Sequence, residues 1–167
     1  MANAQSVSQA IVDYMVRLGV PFTAGVPGHG ILAFVDALAE RRKDIGTIMV
    51  RHEQSAVHLA DGYYRACGKV AACFTSVGPG AINTLVGLGT AFADSSALVA
   101  FTANCPTYMF ERGAIQALDM HHWADFSRMA LPVTKRSWQI TNARQLPEVI
   151  HRAFATPTNG RPGPCHV

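Results

Sequence analysis

Met49-Val50-Arg51-His52-Glu53-Gln54-Ser55-Ala56 is the stretch that decides the fold, because a buried-looking strand runs there straight into a helix rich in small residues. Glu53 stands at the junction, where burial of a carboxylate costs hydration energy unless the site uses the charge. A second unusual turn follows the next apolar run, at Thr75-Ser76-Val77-Gly78-Pro79-Gly80. The two features together indicate a cofactor site rather than ordinary core.

Strand and helix patterns alternate on both sides of this junction. Several of the predicted strands are continuously apolar, which is typical of a parallel sheet covered on both faces. The sequence therefore predicts an α/β fold, a doubly wound parallel sheet with helices on both faces. Strands are predicted at 22–26, 45–50, 70–74, 96–101 and 133–140, helices at 7–18, 31–38, 53–66, 79–91 and 143–155, and a loop at 104–120.

Composition limits the class of protein. The 167 residues suit one α/β domain, and 49% of them are hydrophobic against 15% that are charged. The formal net charge of +3 comes without a basic run, so we expect no nucleic-acid partner. The four cysteines lack the spacing of a metal site or a disulfide framework, which favours reduced thiols and a cytoplasmic location. No apolar run has the length of a membrane span, and the first residues do not resemble a signal peptide.

The C-terminal residues are unusual. Gly160-Arg161-Pro162-Gly163-Pro164 leads into Cys165-His166-Val167, which reads as a strand cut off as it begins. We therefore expect residues 1–167 to form one domain, which is either a fragment of a longer chain or a subunit that stops abruptly.

Three motifs are predicted to meet at one edge of the sheet. Val26-Pro27-Gly28-His29-Gly30 follows the first strand, Arg51-His52-Glu53 the second, and the turn at 75–80 the third. Ligands of doubly wound sheets bind beyond the carboxyl ends of the strands. The recurrence of such motifs at the same edge is stronger evidence for a site than any one of them.

A dinucleotide-binding domain is one alternative. Gly28-His29-Gly30-Ile31-Leu32-Ala33 fits the pattern G-x-G-x-x-A, and Glu53 lies at about the distance expected of the acid that binds the ribose. Two observations count against this interpretation. A helix precedes the supposed first strand, and Glu53 begins a helix instead of ending a strand in a loop.

Six motifs follow one another along nearly the whole chain. They are Gly25-Val26-Pro27-Gly28, Arg51-His52-Glu53-Gln54-Ser55-Ala56, Ala60-Asp61-Gly62-Tyr63-Tyr64-Arg65, Thr75-Ser76-Val77-Gly78-Pro79-Gly80-Ala81-Ile82-Asn83, Gly113-Ala114-Ile115-Gln116 and Gly160-Arg161-Pro162-Gly163-Pro164. Their order and spacing resemble the pyrimidine-binding (PYR) domain at the N-terminus of thiamine-diphosphate-dependent enzymes of the acetolactate synthase and benzoylformate decarboxylase superfamily.

The resemblance implies a catalytic role for Glu53. The matching glutamate of that family hydrogen-bonds N1′ of the cofactor's aminopyrimidine and favours the imino tautomer, which removes the proton from thiazolium C2. Exclusion of water strengthens such a contact. The structural alternative is an acid that is favoured at a helix start by the helix dipole.

The same resemblance assigns the two turns to the cofactor. Pro27 and Gly28 match a loop that approaches the pyrimidine and the substrate. Ser76, Gly78 and Asn83 belong to a turn that packs beside the pyrimidine, where glycine lets backbone approach a ring closely. Each motif is also explained as a structural turn between a strand and a helix.

Two residues match substrate-facing positions of the family. His29 is a candidate for proton transfer because histidine titrates near neutrality, although a solvent-exposed histidine is an equal alternative. Gln116 matches a glutamine that reaches the active site in many relatives, but Ala117 stands where those often have an acid. His121-His122 does not align with the histidine pair of pyruvate decarboxylases, so we interpret it as surface or interface.

The resemblance also implies what other parts must supply. The family binds the diphosphate and Mg²⁺ through a separate domain with a Gly-Asp-Gly…Asn-Asn motif, which is absent here, since Asp61-Gly62 lies inside a predicted helix. We therefore expect no metal ligand in this chain and no activity of the chain alone. The partner subunit of a homodimer or homotetramer would provide the other half of the site.

The predicted function is that of the pyrimidine-binding module of a thiamine-diphosphate enzyme. An acetolactate-synthase-like carboligase or a decarboxylase of a 2-oxo acid or related carbonyl compound is favoured. A hydrolase of cyclic diketones is one alternative, since Gly28-His29-Gly30 with Ser76-Val77-Gly78-Pro79-Gly80 also resembles that branch. A non-catalytic regulatory or dimerisation module of the same fold is another, and the glutamate at position 53 argues against it.

Overall fold

The computed structural model describes residues 5–118 and 125–167, so His121-His122 lies outside the described residues. The strands are β1 (Phe22–Gly25), β2 (Gly46–Met49), β3 (Ala71–Thr75), β4 (Leu98–Thr102), β5 (Arg136–Ser137) and β6 (Cys165–His166). The α-helices are α1 (Val7–Arg17), α2 (Leu32–Glu40), α3 (Glu53–Cys67), α4 (Pro79–Ile82), α5 (Leu85–Ala93), α6 (Phe126–Met129) and α7 (Leu146–Ala155).

All six strands belong to one parallel sheet with the order β2-β1-β3-β4-β6-β5. The predicted doubly wound α/β fold is confirmed. The final residues do form a strand, since Cys165 pairs with Val99 of β4 on one side and with Arg136 of β5 on the other. The carboxyl ends of β1, β2 and β3 are neighbours, as the site prediction requires.

Side chains of each strand alternate between two cores, because successive residues of a strand point to opposite faces. Ala72 and Phe74 of β3 belong to a first core with residues of α1, α2 and α7. Cys73 belongs to a second core with residues of α3 and α5, including Val57 and Leu88. Helices therefore cover both faces of the sheet.

The first helix begins as predicted. Ser6 caps α1 by accepting a hydrogen bond from the Gln9 amide, and the Gln9 side chain bonds back to the Ser6 amide. This reciprocal pair satisfies two amides that a helix start leaves open. Gly19 follows the helix with φ of +70°, a conformation that favours glycine.

The motif around Asp61 has a structural explanation. Asp61 is buried in α3, and the Arg65 guanidinium donates to its carboxylate at 2.8 Å and to Asp94 at 2.8 Å. Burial is the largest influence on the pKa of Asp61 and would raise it, but the hydrogen bonds from Arg65 and Ser96 and the charges of Arg65 and His58 together hold the pKa below its ordinary value. Through its contact with Asp94, Arg65 joins α3 to the end of α5.

The expectation of a buried strand before Glu53 is wrong for this chain. All four residues of β2 are exposed, with Ile48 at 38% and Met49 at 53% of their accessible surface. The reason is the position of β2 at the sheet edge, which periodicity along a single strand does not reveal.

Two other predicted elements differ from the structure. The helix expected at 79–91 is broken into α4 and α5, and at the break the Thr84 hydroxyl donates to the Ala81 carbonyl at 2.7 Å. The strand expected at 133–140 is reduced to Arg136–Ser137: Val133 belongs to a 3₁₀ turn over Leu131–Val133, and residues 138–140 form no regular element.

Two findings concern the bulk expectations. The cysteines, all of which lie in the described residues, form no disulfide, in agreement with the prediction of thiols. None of the helices in residues 5–118 and 125–167 combines the length and the apolar character that crossing a bilayer requires.

Candidate functional site

Glu53 is the first residue of α3, directly beyond the end of β2. The helix start is stabilised by His52, whose side chain accepts a hydrogen bond from the Gln54 amide at 3.2 Å. A carboxylate in the first turn also interacts favourably with the helix dipole. Glu53 itself is half-buried, so its carboxyl group lies at the boundary between the protein interior and the sheet edge.

A side chain from another helix orients the carboxyl group of Glu53. The Asn83 side-chain amide donates a hydrogen bond of 2.9 Å to Glu53 Oε2. Asn83 is the C-cap of α4, which is the position where the predicted long helix breaks. The break therefore places the amide where it can orient the acid.

Gly80 lies against the other oxygen of the same carboxyl group. A Cβ at this position would stand 3.1 Å from Glu53 Oε1 and 2.7 Å from Thr75 Oγ1. Both distances are shorter than ordinary contacts, so a side chain at residue 80 would displace one of the two oxygens. Glycine here keeps the carboxyl group and the hydroxyl side by side.

The turn from Thr75 to Gly80 lies against three other predicted parts of the site. Its last residue, Gly80, lies beside both the Thr75 hydroxyl and the carboxyl group of Glu53. Ser76 faces Gly28, because a Cβ on Gly28 would overlap the Ser76 side chain. Gly78 has a φ of +59° and faces Gln116, whose backbone carbonyl a Cβ on Gly78 would overlap. Gly78 is therefore required both by conformation and by close approach.

Gln116 is brought to the turn by its backbone. Its φ of +60° is a left-handed conformation uncommon for residues other than glycine, and the residue is exposed. The loop that contains it therefore lies over Gly78, next to the candidate site.

The two remaining predicted residues lie at the surface. Pro27 and His29 are both exposed and follow β1, with His29 opening a 3₁₀ turn. They flank Gly28, which is half-buried against Ser76. The structure therefore joins Glu53 with Asn83, Gly28 with Ser76, and Gly78 with Gln116, and it leaves Pro27 and His29 at the rim.

Two residues of this cluster were missed as individual candidates. They are Thr75 and Gly80, which are the first and last residues of the turn. The hydroxyl groups of Thr75 and Ser76 are buried and have no hydrogen-bond partner among the described residues. The turn motif was the available signal in the sequence. Thr75 ends the strand before it and Gly80 lies in the first turn of the helix after it, so both are next to the predicted site.

A separate cavity of about 220 Å³ lies at the same sheet edge, between α1, β4 and β6. Of the predicted site residues in the described ranges, Gly78 lines it and Glu53 does not. His166 also lines it, and its ring shares hydrogen bonds with the Thr102 and Ser137 hydroxyls at 2.7 and 2.6 Å. These contacts join β4, β6 and β5, so His166 is explained as a structural residue that sequence reasoning overlooked.

Comparison with known proteins gives the family of the chain. Residues 5–123 match the family described as thiamine pyrophosphate enzyme, N-terminal TPP binding domain. The chain is 39% identical over 160 residues to a probable acetolactate synthase large subunit of Methanocaldococcus jannaschii, covering 96% of this chain and 26% of that protein. It is 37% identical over 167 residues to the acetolactate synthase isozyme 3 large subunit of Escherichia coli, covering 100% of this chain and 27% of that protein.

The chain spans about a quarter of the length of the curated relatives that it matches. The family match covers most of the chain and includes Glu53 and the turn from Thr75 to Gly80. On this evidence, the chain belongs to the family of N-terminal TPP-binding domains of thiamine pyrophosphate enzymes, in a form similar to that of acetolactate synthase large subunits.

Proposed function

We propose that this chain is the pyrimidine-binding half of a thiamine-diphosphate enzyme of the acetolactate synthase type, in which Glu53 is the acid that contacts the cofactor's aminopyrimidine. The observation that carries the proposal is the half-buried carboxyl group of Glu53, oriented by the Asn83 amide at 2.9 Å and left accessible by Gly80.

The residues present fit a flat nitrogen heterocycle. The buried hydroxyls of Thr75 and Ser76 have no protein partner among the described residues, and Gly28 and Gly80 have no side chain to occupy the space beside them. Unmade hydrogen bonds of buried groups in a native protein call for an explanation, and a polar ligand is one. A carboxyl group, an amide and hydroxyls are the groups that recognise ring nitrogens and an exocyclic amine.

The chemistry of this half-site consists of holding and moving one proton. When bound, thiamine diphosphate supplies a nucleophilic carbon and an electron sink for reactions of carbonyl compounds. Glu53 would share a proton with a ring nitrogen, which requires a carboxyl group at that position. Because the Asn83 amide donates to Oε2, Oε1 would share the proton, and its two lone pairs leave room for a second donor. The loop at Gln116 would limit the access of water, which strengthens the contact.

The remaining parts of the enzyme are proposed to come from outside this chain. The diphosphate and Mg²⁺ would be bound by a second domain from a partner subunit, and the substrate would be a 2-oxo acid or a related carbonyl compound. His29 and Gln116, which lie at the rim, would face that substrate. These assignments rest on the family and on the similarity to acetolactate synthase large subunits.

The proposal is tested with Glu53→Gln in the full-length gene product, supplied with thiamine diphosphate and Mg²⁺. Glutamine has nearly the same shape but cannot relay a proton, so exchange of the C2 proton of the cofactor in deuterated buffer should lose most of its rate, as measured by NMR. The control is Glu148→Gln, at an exposed position of α7. Exchange at the wild-type rate in Glu53→Gln would falsify the assignment.

A further inference from the structure

Thr75 carries a buried hydroxyl to which the proposed function assigns no specific partner. The residue ends β3 and is 1% exposed, and its Oγ1 has no hydrogen-bond partner in the described part of the chain. A buried hydroxyl without a partner carries the desolvation penalty of that group with no compensation. A buried polar atom of this kind lowers stability, and its presence is explained by a functional role or by a partner from outside the described residues.

The hydroxyl of Thr75 and the carboxyl group of Glu53 both lie against Gly80. Cys73 belongs to the core beneath α3, and Thr75, two residues further along the strand, points to the same face. Thr75 Oγ1 and Glu53 Oε1 lie 2.7 and 3.1 Å from the point where a Gly80 Cβ would stand. The absence of a side chain at Gly80 is what lets the two oxygens approach each other.

The two oxygens are suited to form a hydrogen bond with each other. The hydroxyl of Thr75 is a donor without an acceptor, whereas Oε1 is the carboxyl oxygen that Asn83 does not contact. A hydroxyl hydrogen rotates to suit its acceptor, so the Thr75 hydroxyl can donate to Oε1 once the two oxygens come within hydrogen-bond distance. Hydrogen bonds of active sites are often long in the free protein and become short only when the ligand is bound.

We propose that Thr75 is a positioning residue for Glu53, whose hydroxyl donates to Oε1 in the loaded site. Together with the Asn83 amide on Oε2, it would fix the plane of the carboxyl group against the ligand ring. This inference rests on the proposed function of Glu53 and adds a residue to it.

Thr23 offers a matched control within the same sheet. Its Oγ1 is also buried without a partner among the described residues. Thr23 pairs with Ala72, which belongs to the first core, so its side chain points to the face of the sheet opposite Glu53. The two threonines therefore share the same burial and the same missing hydrogen bond, and they differ in their proximity to the site.

The experiment compares Thr75→Val, Thr75→Ser and Thr23→Val in the full-length gene product. Valine keeps the shape of threonine and removes the hydroxyl, so both valine variants should melt at or above the wild-type temperature. Thr75→Val should weaken the affinity for thiamine diphosphate with Mg²⁺, measured by calorimetry, and slow C2-proton exchange, each by about tenfold, as expected for a hydrogen bond to a charged group. Thr75→Ser should retain both values within about threefold, and Thr23→Val should leave both unchanged.

Affinity and exchange at wild-type level in Thr75→Val, with Glu53→Gln inactive, would overturn this inference and leave the proposed function intact. Equal losses in the serine and valine variants would also overturn it, because the methyl group and not the hydroxyl would then be responsible. Wild-type exchange in Glu53→Gln would overturn both. A slowed exchange in Thr75→Val that Thr75→Ser restores, at an undiminished melting temperature, supports the positioning role.

Discussion

The Asn83 amide nitrogen lies 2.9 Å from Glu53 Oε2, a contact between two residues that are 30 positions apart in the chain. The contact depends on the break between α4 and α5, because Asn83 is the cap residue of the shorter helix. An acid at the start of one helix is thus oriented by the end of another. This relationship is the basis of the first prediction.

Removal of the Asn83 amide should reduce the affinity for the cofactor. We expect Asn83→Ala to weaken the binding of thiamine diphosphate with Mg²⁺ by about tenfold or more, since hydrogen bonds to charged groups contribute about 1.5–3 kcal/mol. Asn83→Asp should weaken it further, because two carboxylates would then repel each other. Calorimetric titration of the full-length gene product measures both.

The control for this prediction is Asn142→Ala. Asn142 caps the turn before α7, where its side chain accepts a hydrogen bond from the Arg144 amide at 2.9 Å. Loss of this cap should reduce stability by about 1 kcal/mol and leave cofactor affinity unchanged. Similar affinities of Asn83→Ala and Asn142→Ala would contradict the role of Asn83.

Gly80→Ala should weaken cofactor binding and Gly62→Ala should increase stability, although both variants replace a helical glycine. A Cβ on Gly62 meets no atom within 4 Å, so the variant should gain about 0.5–1 kcal/mol of stability from helix propensity. A Cβ on Gly80 would crowd Thr75 and Glu53, so this variant should lose cofactor affinity. Urea unfolding and calorimetry test the two; normal binding by Gly80→Ala would show that the space beside Glu53 is not needed.

Acid should destabilise the protein through His166. Burial lowers the pKa of His166 to about 3, and the nearby Asp125 carboxylate only partly opposes the shift. Because the pKa is about 6.5 in the unfolded chain, the unfolded state binds more protons between these two values. The stabilisation is therefore complete above about pH 6.5 and is lost towards about pH 3, at up to about 1.4 kcal/mol per pH unit.

The measurement is urea unfolding at several pH values for the wild type and His166→Gln. Glutamine preserves a polar side chain at this position and does not titrate. We expect the free energy of unfolding of the wild type to fall more steeply below about pH 6 than that of the variant. Parallel curves would mean that other groups cause the acid sensitivity.

Arg161 should contribute to stability through the end of α5. Its guanidinium donates to Ser95 Oγ at 2.7 Å and to the Ala93 carbonyl at 2.9 Å. A cation at this end satisfies open carbonyls and interacts favourably with the helix dipole. Arg161→Met should therefore reduce the free energy of unfolding by about 1–2 kcal/mol.

The comparison variant for Arg161 is Arg152→Met. Arg152 pairs with Glu148 at 2.8 Å, but both side chains are more than half exposed, so its loss should change the free energy by less than about 0.5 kcal/mol. If urea unfolding gave equal values for the two variants, the cap formed by Arg161 would have no special importance.

Local patterns predicted most elements of this fold, because apolar runs and helix caps are encoded within a few neighbouring residues. The helix predicted at 7–18 agrees with α1 for this reason, since Ser6 and Gly19 lie at its two ends. The exposure of β2 and the insertion of β6 between β4 and β5 are set by which strands pair, and this information is spread over the whole chain. Periodicity within one segment cannot supply it.

The candidate site was also predictable only in part from local sequence. Glu53 was identifiable because an acid at the junction of a strand and a helix is chemically unusual, and the structure adds its contact with Asn83. Thr75 could not be singled out, because a threonine at the end of a strand is ordinary in sequence. Its importance appears only when its burial and the missing partner of its hydroxyl are known.

The placement of β6 has a consequence for the order of events during biosynthesis. Within residues 5–118 and 125–167, β5 pairs with the rest of the sheet through β6 alone, in the pairs of Arg136 with Cys165 and of Ser137 with His166. A growing chain that has already produced β5 therefore leaves it unpaired until residues 165–166 leave the ribosome. The first four strands can pair earlier, so the edge that carries Glu53 can be assembled while the opposite edge is still being synthesised.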